Sequence, residues 1–159
     1  MLREGGGILS LASERKELFL TLYRDETLKT LLKIPSVDIN NMAKVRDTYI
    51  THSYGSDTII TDVACRILYR NVPLSETRNQ FVRWDGIIFE IFVRNSDEYN
   101  VTTNALDRRQ EMIADRLLKL LGRQYVGAWK FEPIDKGDLY CSTSGYKRYF
   151  ILFRYKRIF

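Results

Sequence analysis

The sequence predicts an α+β fold, a mainly antiparallel β-sheet packed against two helices in a single domain. Residues 86–94, GIIFEIFVR, place Ile87, Phe89, Ile91 and Val93 on one face, with Ile88 and Phe92 flanking Glu90 on the other. Side chains alternate across a strand, so a segment apolar on both faces belongs in the middle of a sheet. Two stretches, 13–33 and 104–121, carry apolar residues at helical spacing. The remaining strand-like segments neighbour one another in sequence and are joined by short turns, which favours antiparallel pairing with helices laid on the sheet.

Composition agrees with one domain. The chain has 159 residues, 45% hydrophobic, with three prolines and no low-complexity run. Such a length buries roughly two-thirds of the surface its unfolded chain exposes. No apolar run approaches the ~20 residues that span a bilayer, and the apolar stretch at the start is too short for a secretory signal; no membrane association is expected. The formal net charge is +5. The stretch 146–159 holds Lys147, Arg148, Arg154, Lys156 and Arg157 and no acid, so the rest of the chain balances. A protein coated in phosphate contacts would be basic over a whole face.

Taken in order, residues 1–12 read as a flexible N-terminal arm. Gly5, Gly6 and Gly7 follow no strand and precede no Lys-Ser/Thr, so they are not a phosphate-cradling loop. Residues 13–159 form the domain. A helix in two pieces covers 13–33, the first capped by Ser13, the second by Asp25, with Pro35 stopping it. Residues 36–57 form a long irregular connection with a short strand around 48–51; loops of this length are often functional or ordered on assembly. A half-buried strand over 58–70 has Val63, Cys65, Ile67 and Tyr69 on one face and Arg66 and Arg70 on the other. A polar connection over 71–80 leads into the 81–94 strand, and the two pair as an antiparallel hairpin. After a polar loop, 95–103, a helix is expected from an Asn104 N-cap, with Asp107 in its first turn, Leu106, Ile113, Leu117, Leu120 and Leu121 as its stripe, and Gly122 as its C′ residue. Strands at 128–132, 139–143 and 146–159 follow, with a turn at 133–137.

Few residues suggest chemistry. Asp85 and Glu90 lie on one strand at odd separation, so they point to opposite faces and cannot flank a substrate as paired carboxylates. Glu90 lacks the Glu-x-Lys sequel of restriction-type nucleases. His52, the single histidine, has no nucleophile-elbow sequence and no Cys or His at ligand spacing, so no metal and no cofactor is expected. Cys65 and Cys141 are read as buried thiols of a reducing compartment, with a disulfide between them as the alternative. An enzyme is not expected. Glu90 itself needs a partner, because a lone buried carboxylate is strongly disfavoured; Arg66 or Arg154 is the expected one.

The terminal strand is the best binding candidate. Its cations, interleaved with Tyr146, Phe150, Tyr155 and Phe159, resemble an RNA-binding strand in which aromatics stack on bases. The competing reading turns the aromatics toward the helices and the cations toward solvent or a protein neighbour, since arginine and aromatics also favour protein interfaces.

Four segments carry a resemblance: LFLTLYRDETLKTLLKIP (18–35), RNQFVRWDGIIFEIFVRNSDEYN (78–100), RRQEMIADRLLKLL (108–121) and GAWKFEPI (127–134). Together they are similar to the neck and tail-completion proteins of tailed bacteriophages. The resemblance implies a virion protein, assembled in the host cytoplasm, that is not an enzyme. It forms a ring with itself, commonly of six subunits, that terminates the tail tube or joins it to the head connector. Genome DNA then passes through the lumen without sequence-specific contact. Such a ring needs two unlike edges. The expected edges are the terminal strand, with Arg148, Arg154, Lys156 and Arg157, and the 63–70 strand, with Arg66 and Arg70. Asp97, Glu98 and Tyr99 of the 95–103 loop then face axial neighbours or the lumen. The alternative is a nucleic-acid-binding module that uses the basic C-terminal strand.

Overall fold

A computed structural model describes residues 11–52, 62–76, 82–100 and 104–158. The chain runs α1 (Leu11–Tyr23), α2 (Glu26–Leu31), a short turn of helix α3 (Met42–Lys44), a π-turn (Val45–Tyr49) and β1 (Ile50–His52). Then come β2 (Cys65–Glu76), β3 (Val82–Arg94), a 3-10 turn (Asn95–Asp97), β4 (Tyr99–Asn100), β5 (Asn104–Arg108) and α4 (Arg109–Leu121). Four strands close the chain: β6 (Tyr125–Val126), β7 (Trp129–Lys130), β8 (Glu132–Leu139) and β9 (Tyr146–Ile158).

The main sheet has the order β1-β2-β3-β9-β8. Every neighbouring pair is antiparallel except β1 with β2, which is parallel. The fold is therefore α+β, a mostly antiparallel sheet in one domain. β3 is the middle strand, and its odd face does what the alternation requires. Ile87, Phe89, Ile91 and Val93 join Cys65, Ile67 and Tyr69 of β2 and Tyr149, Ile151, Phe153 and Tyr155 of β9 in one core. The helices cover that face with Leu18 and Leu22 of α1, Leu28 of α2, and Ile113, Leu117 and Leu121 of α4. No described helix contributes to the other face, whose small cluster is Leu68, Phe92 and Tyr146, with Cys141 packed beside it. Cys65 and Cys141 fall in the two different clusters and are both free thiols. Burial pushes the Cys65 thiol up to about 12.

Several boundaries differ from the expectation. The terminal strand and the 63–70 strand are both interior; the edges are β1 and β8. β2 runs on to Glu76, pairing with β3 as far as Pro73 and again at Glu76 across a register shift. Pro73 is tolerated there because it sits at that irregularity. The expected turn at 133–137 is part of β8, an edge strand, where a sheet accepts proline; of the expected 139–143 strand only Leu139 belongs to it. The helix expected from Asn104 begins at Arg109, because 104–108 pair back on β4 as β5. Leu106 consequently lies outside the stripe and is 89% exposed, and Glu111, not Asp107, is the acid of the first turn. Gly122 is the C-cap with φ −61°, and the left-handed residue is Arg123. Glycine is still required at 122, where a Cβ would lie 2.5 Å from the Leu118 carbonyl oxygen. α1 starts at Leu11, so Ser13 is inside it and the last two residues of the expected arm are helical. Residues 1–10, the 58–61 part of the expected strand, 77–81, 101–103 and Phe159 lie outside the described residues.

One polar clamp holds the helical layer. Asp25 Oδ2 accepts the Leu28 amide at 2.8 Å and caps α2, as expected. Arg116 of α4 donates to both Asp25 oxygens, from Nε at 2.8 Å and from Nη2 at 2.5 Å. These bonds, helped by the Leu28 amide and opposed by burial, hold the Asp25 carboxyl below its ordinary value. A depressed folded-state pKa gives stability that is present above the unfolded value and lost as pH falls through the folded one. Asp25→Ala is expected to cost about 1 kcal/mol at neutral pH through the lost cap. It is also expected to flatten the acid loss of stability that sets in below roughly pH 4. Urea unfolding of both proteins between neutral and acid pH checks this; equal acid slopes would refute it.

Candidate functional site

The sheet face that the helices leave uncovered is where the expected interface residues gather. Even positions on the three central strands point to it: Arg66, Leu68 and Arg70 of β2, Ile88, Glu90 and Phe92 of β3, and Arg148, Phe150, Leu152, Arg154 and Lys156 of β9. Register decides which of them meet. Glu90 lies opposite Leu68 on one side and Phe150 on the other, so its diagonal neighbours are Arg66 and Arg70 on β2 and Arg148 and Leu152 on β9.

Glu90 is 1% exposed and takes one arginine from each neighbouring strand. Arg148 donates to Oε2 from Nη2 at 2.6 Å and from Nε at 2.9 Å, and Arg70 Nη1 donates to Oε1. The partners are therefore Arg70 and Arg148, in place of the expected Arg66 or Arg154. Arg154 pairs across from Gly86, too far along β9, and bonds Glu132 of β8 at 3.1 Å. Arg66 is 3% exposed, and burial lowers its pKa. Charge-assisted bonds from two sides satisfy Glu90 where a solitary carboxylate would be untenable.

Aromatic rings lie under the remaining cations. Arg148 sits 5.8 Å from the Phe92 ring centre, and Trp84 of β3 lies beneath both Arg154, at 4.2 Å, and Lys156, at 5.2 Å. The two-residue period of the sequence places Phe92 on this face beside Glu90, whereas it does not single out Trp84. Of the aromatics expected to stack on bases, Tyr155 is fully buried on the helical side, stacked on Trp129 at 4.3 Å. Its hydroxyl accepts from Asn71 Nδ2 at 2.6 Å. Tyr146 is 7% exposed and donates its hydroxyl to the Val63 carbonyl at 2.6 Å. Phe150 remains half-buried on the uncovered face. Arg157 stands opposite Arg83 at the end of the β3–β9 ladder.

The described part of the expected loop, 95–100, holds the fold together more than it faces outward. Asp97 is buried, accepting from Lys33 at 2.6 Å and from Arg94 at 2.8 Å. Burial works to raise this carboxyl, but the two cations together hold it below its ordinary value. Glu98 accepts from Gln110 at 2.5 Å and from Arg108 at 3.1 Å. Arg108 also reaches Glu111 and Asp138, tying β5 to α4 and β8. Tyr99, 41% exposed, is the member of the three open to a neighbour.

The arrangement is a partly apolar sheet face in which Arg66, Leu68, Glu90 and Phe92 are buried and Lys156 is exposed. No helix among the described residues is long and apolar enough to cross a membrane. No protein-family model matches the chain, and no curated protein matches it.

The two arginine environments predict unequal costs. Removing Arg148 leaves the buried Glu90 with one partner, so Arg148→Met is expected to cost on the order of 3 kcal/mol. Arg154 and Glu132 are about 40% exposed, so Arg154→Met should stay within about 1 kcal/mol. Urea midpoints of the two variants measure the difference, and equal losses would contradict the role given to Glu90.

Proposed function

We propose that the protein is a structural subunit of a tailed-bacteriophage neck. It assembles into a ring of its own copies that terminates the tail tube or joins it to the head connector. One observation supports the reading beyond the sequence resemblance: the described helices all lie on one side of the sheet, which ends in two unlike edges. β1 has three residues and lies under the helical layer, whereas β8 has eight and is mostly exposed. Unlike edges meet head to tail, and a head-to-tail contact closes into a ring when its rotation divides the circle. The uncovered face, with Arg148, Arg154 and Lys156, then turns to a neighbouring protein of the neck.

Mass photometry of the purified chain, alone and with the tail-tube protein of the same genome, tests the reading. The expected species is a ring, with a mass near six times the 18.7 kDa subunit. A chain that stays monomeric in both samples, and that forms no ring in particles, overturns it. Charge reversal at Arg154 and Lys156 provides a second measure. Particle assembly is expected to fall while binding to a DNA duplex stays negligible at every salt concentration. Salt-dependent duplex binding that the reversal abolishes would instead favour nucleic-acid recognition.

A further inference from the structure

A groove of about 520 Å³ opens at the β1 end of the sheet, between α1 and the π-turn that leads into β1. Phe19 and Leu20 of α1 and Tyr69 of β2 supply apolar walls. Lys16 and Arg46 stand on its rim, both exposed. The size lies within the range of roughly 300–1,000 Å³ in which binding pockets fall. Arg46 is already bonded to Asp47 at 2.9 Å, so Lys16 is the rim cation better placed for an incoming acid.

The opposite end of the sheet has the complementary chemistry. β8 reads EPIDKGDL, with three acids to one lysine. Its register on β9 shifts between Pro133 and Asp135, which leaves Ile134 unpaired at a bulge and 43% exposed. A bulge at a sheet edge re-aims the side chain it frees. Tyr140, just past the strand, is 84% exposed. Glu132 and Asp138 are bonded within the subunit to Arg154 and Arg108. Asp135 accepts only its neighbour's amide, from Lys136. One edge thus shows a hollow with apolar walls, bordered by Lys16 and by the Arg46–Asp47 pair, and the other shows a projecting apolar side chain beside an acid.

We infer that the groove receives the β8 edge of a second copy of this chain, with Ile134 entering between Phe19 and Tyr69 and Asp135 meeting Lys16. The inference rests on the ring reading and specifies the contact by which copies join. Because groove and edge lie at opposite ends of the sheet, the contact is heterologous: each subunit gives its edge to one neighbour and its groove to another.

The experiment uses the full chain and three variants, Lys16→Glu, Asp135→Lys and the combination of both, with circular dichroism to establish folding. Each single variant is expected to lower the assembled fraction in mass photometry at least tenfold. An equimolar mixture of the two, or the combined variant, is expected to restore it, because every contact then unites opposite charges. Ile134→Asp is expected to abolish assembly in any mixture. If the unaltered chain assembles and Lys16→Glu and Asp135→Lys assemble equally well, the contact is wrong and the ring reading stands. If Lys16→Glu alone abolishes assembly and Asp135→Lys does not, the groove receives something other than β8, and the inference fails. If the unaltered chain never assembles, with or without tail-tube protein, both fail together.

Discussion

A carboxylate at the middle of the central strand, shielded from water and held by one arginine from each flanking strand, is the constraint on which this sheet depends. Glu90 is tolerated only in the alignment that brings Arg70 and Arg148 diagonally across from it. A slip of either neighbour by one residue would put that strand's arginine on the helical side and leave the carboxylate with a single partner. Backbone ladders are nearly indifferent to register, and apolar side chains discriminate only between faces. The arginine–glutamate–arginine bridge discriminates between positions along the strand. It joins β2, β3 and β9 through three side chains, while the helical layer reads only the other face.

The helical layer has its own ties, and they follow the same pattern. Asp25 links the cap of α2 to Arg116 of α4, and Asp97 gathers Lys33 and Arg94. Arg109 donates to the Leu31 carbonyl at the end of α2 and to the Asp97 carbonyl. Apart from the local Arg94–Asp97 bond, these ties join separate segments by charged hydrogen bonds near the rim of the core. Packing of Leu18, Leu28, Ile113 and their neighbours supplies the bulk of the burial. The ties select one arrangement of it.

How much of this was legible in the sequence follows from the range of the interactions. The alternation in 86–94 identified the central strand and both of its faces, because a two-residue period needs no knowledge of the rest of the chain. The same period runs through β9, where it sets Tyr149, Ile151, Phe153 and Tyr155 against Arg148, Arg154 and Lys156. The Asp25 cap was legible because a cap acts within three residues. What could not be read was any property set by a partner strand. Asn104 looks like a helix cap, yet its segment pairs with β4. Pro133 looks like a turn, yet an edge accepts it. Arg66 and Arg70 are equally placed in sequence to meet Glu90, and only the fold chooses between them. The expected edges proved interior for the same reason, since strand order is decided by which segments pair and not by where they fall in the chain.

The irregularity in β8 also bears on what the protein does not do. An open sheet edge is ordinarily a template on which a foreign strand can grow, and long flat edges seed fibrils. Here Pro133 has no amide hydrogen to offer, the ladder is broken before Asp135, and Asp135 and Lys136 hold opposite charges out into solvent. The other edge, β1, is three residues long. At β8 the missing amide, the shifted register and the adjacent opposite charges break up the continuous ladder that an edge-to-edge cross-β stack would need.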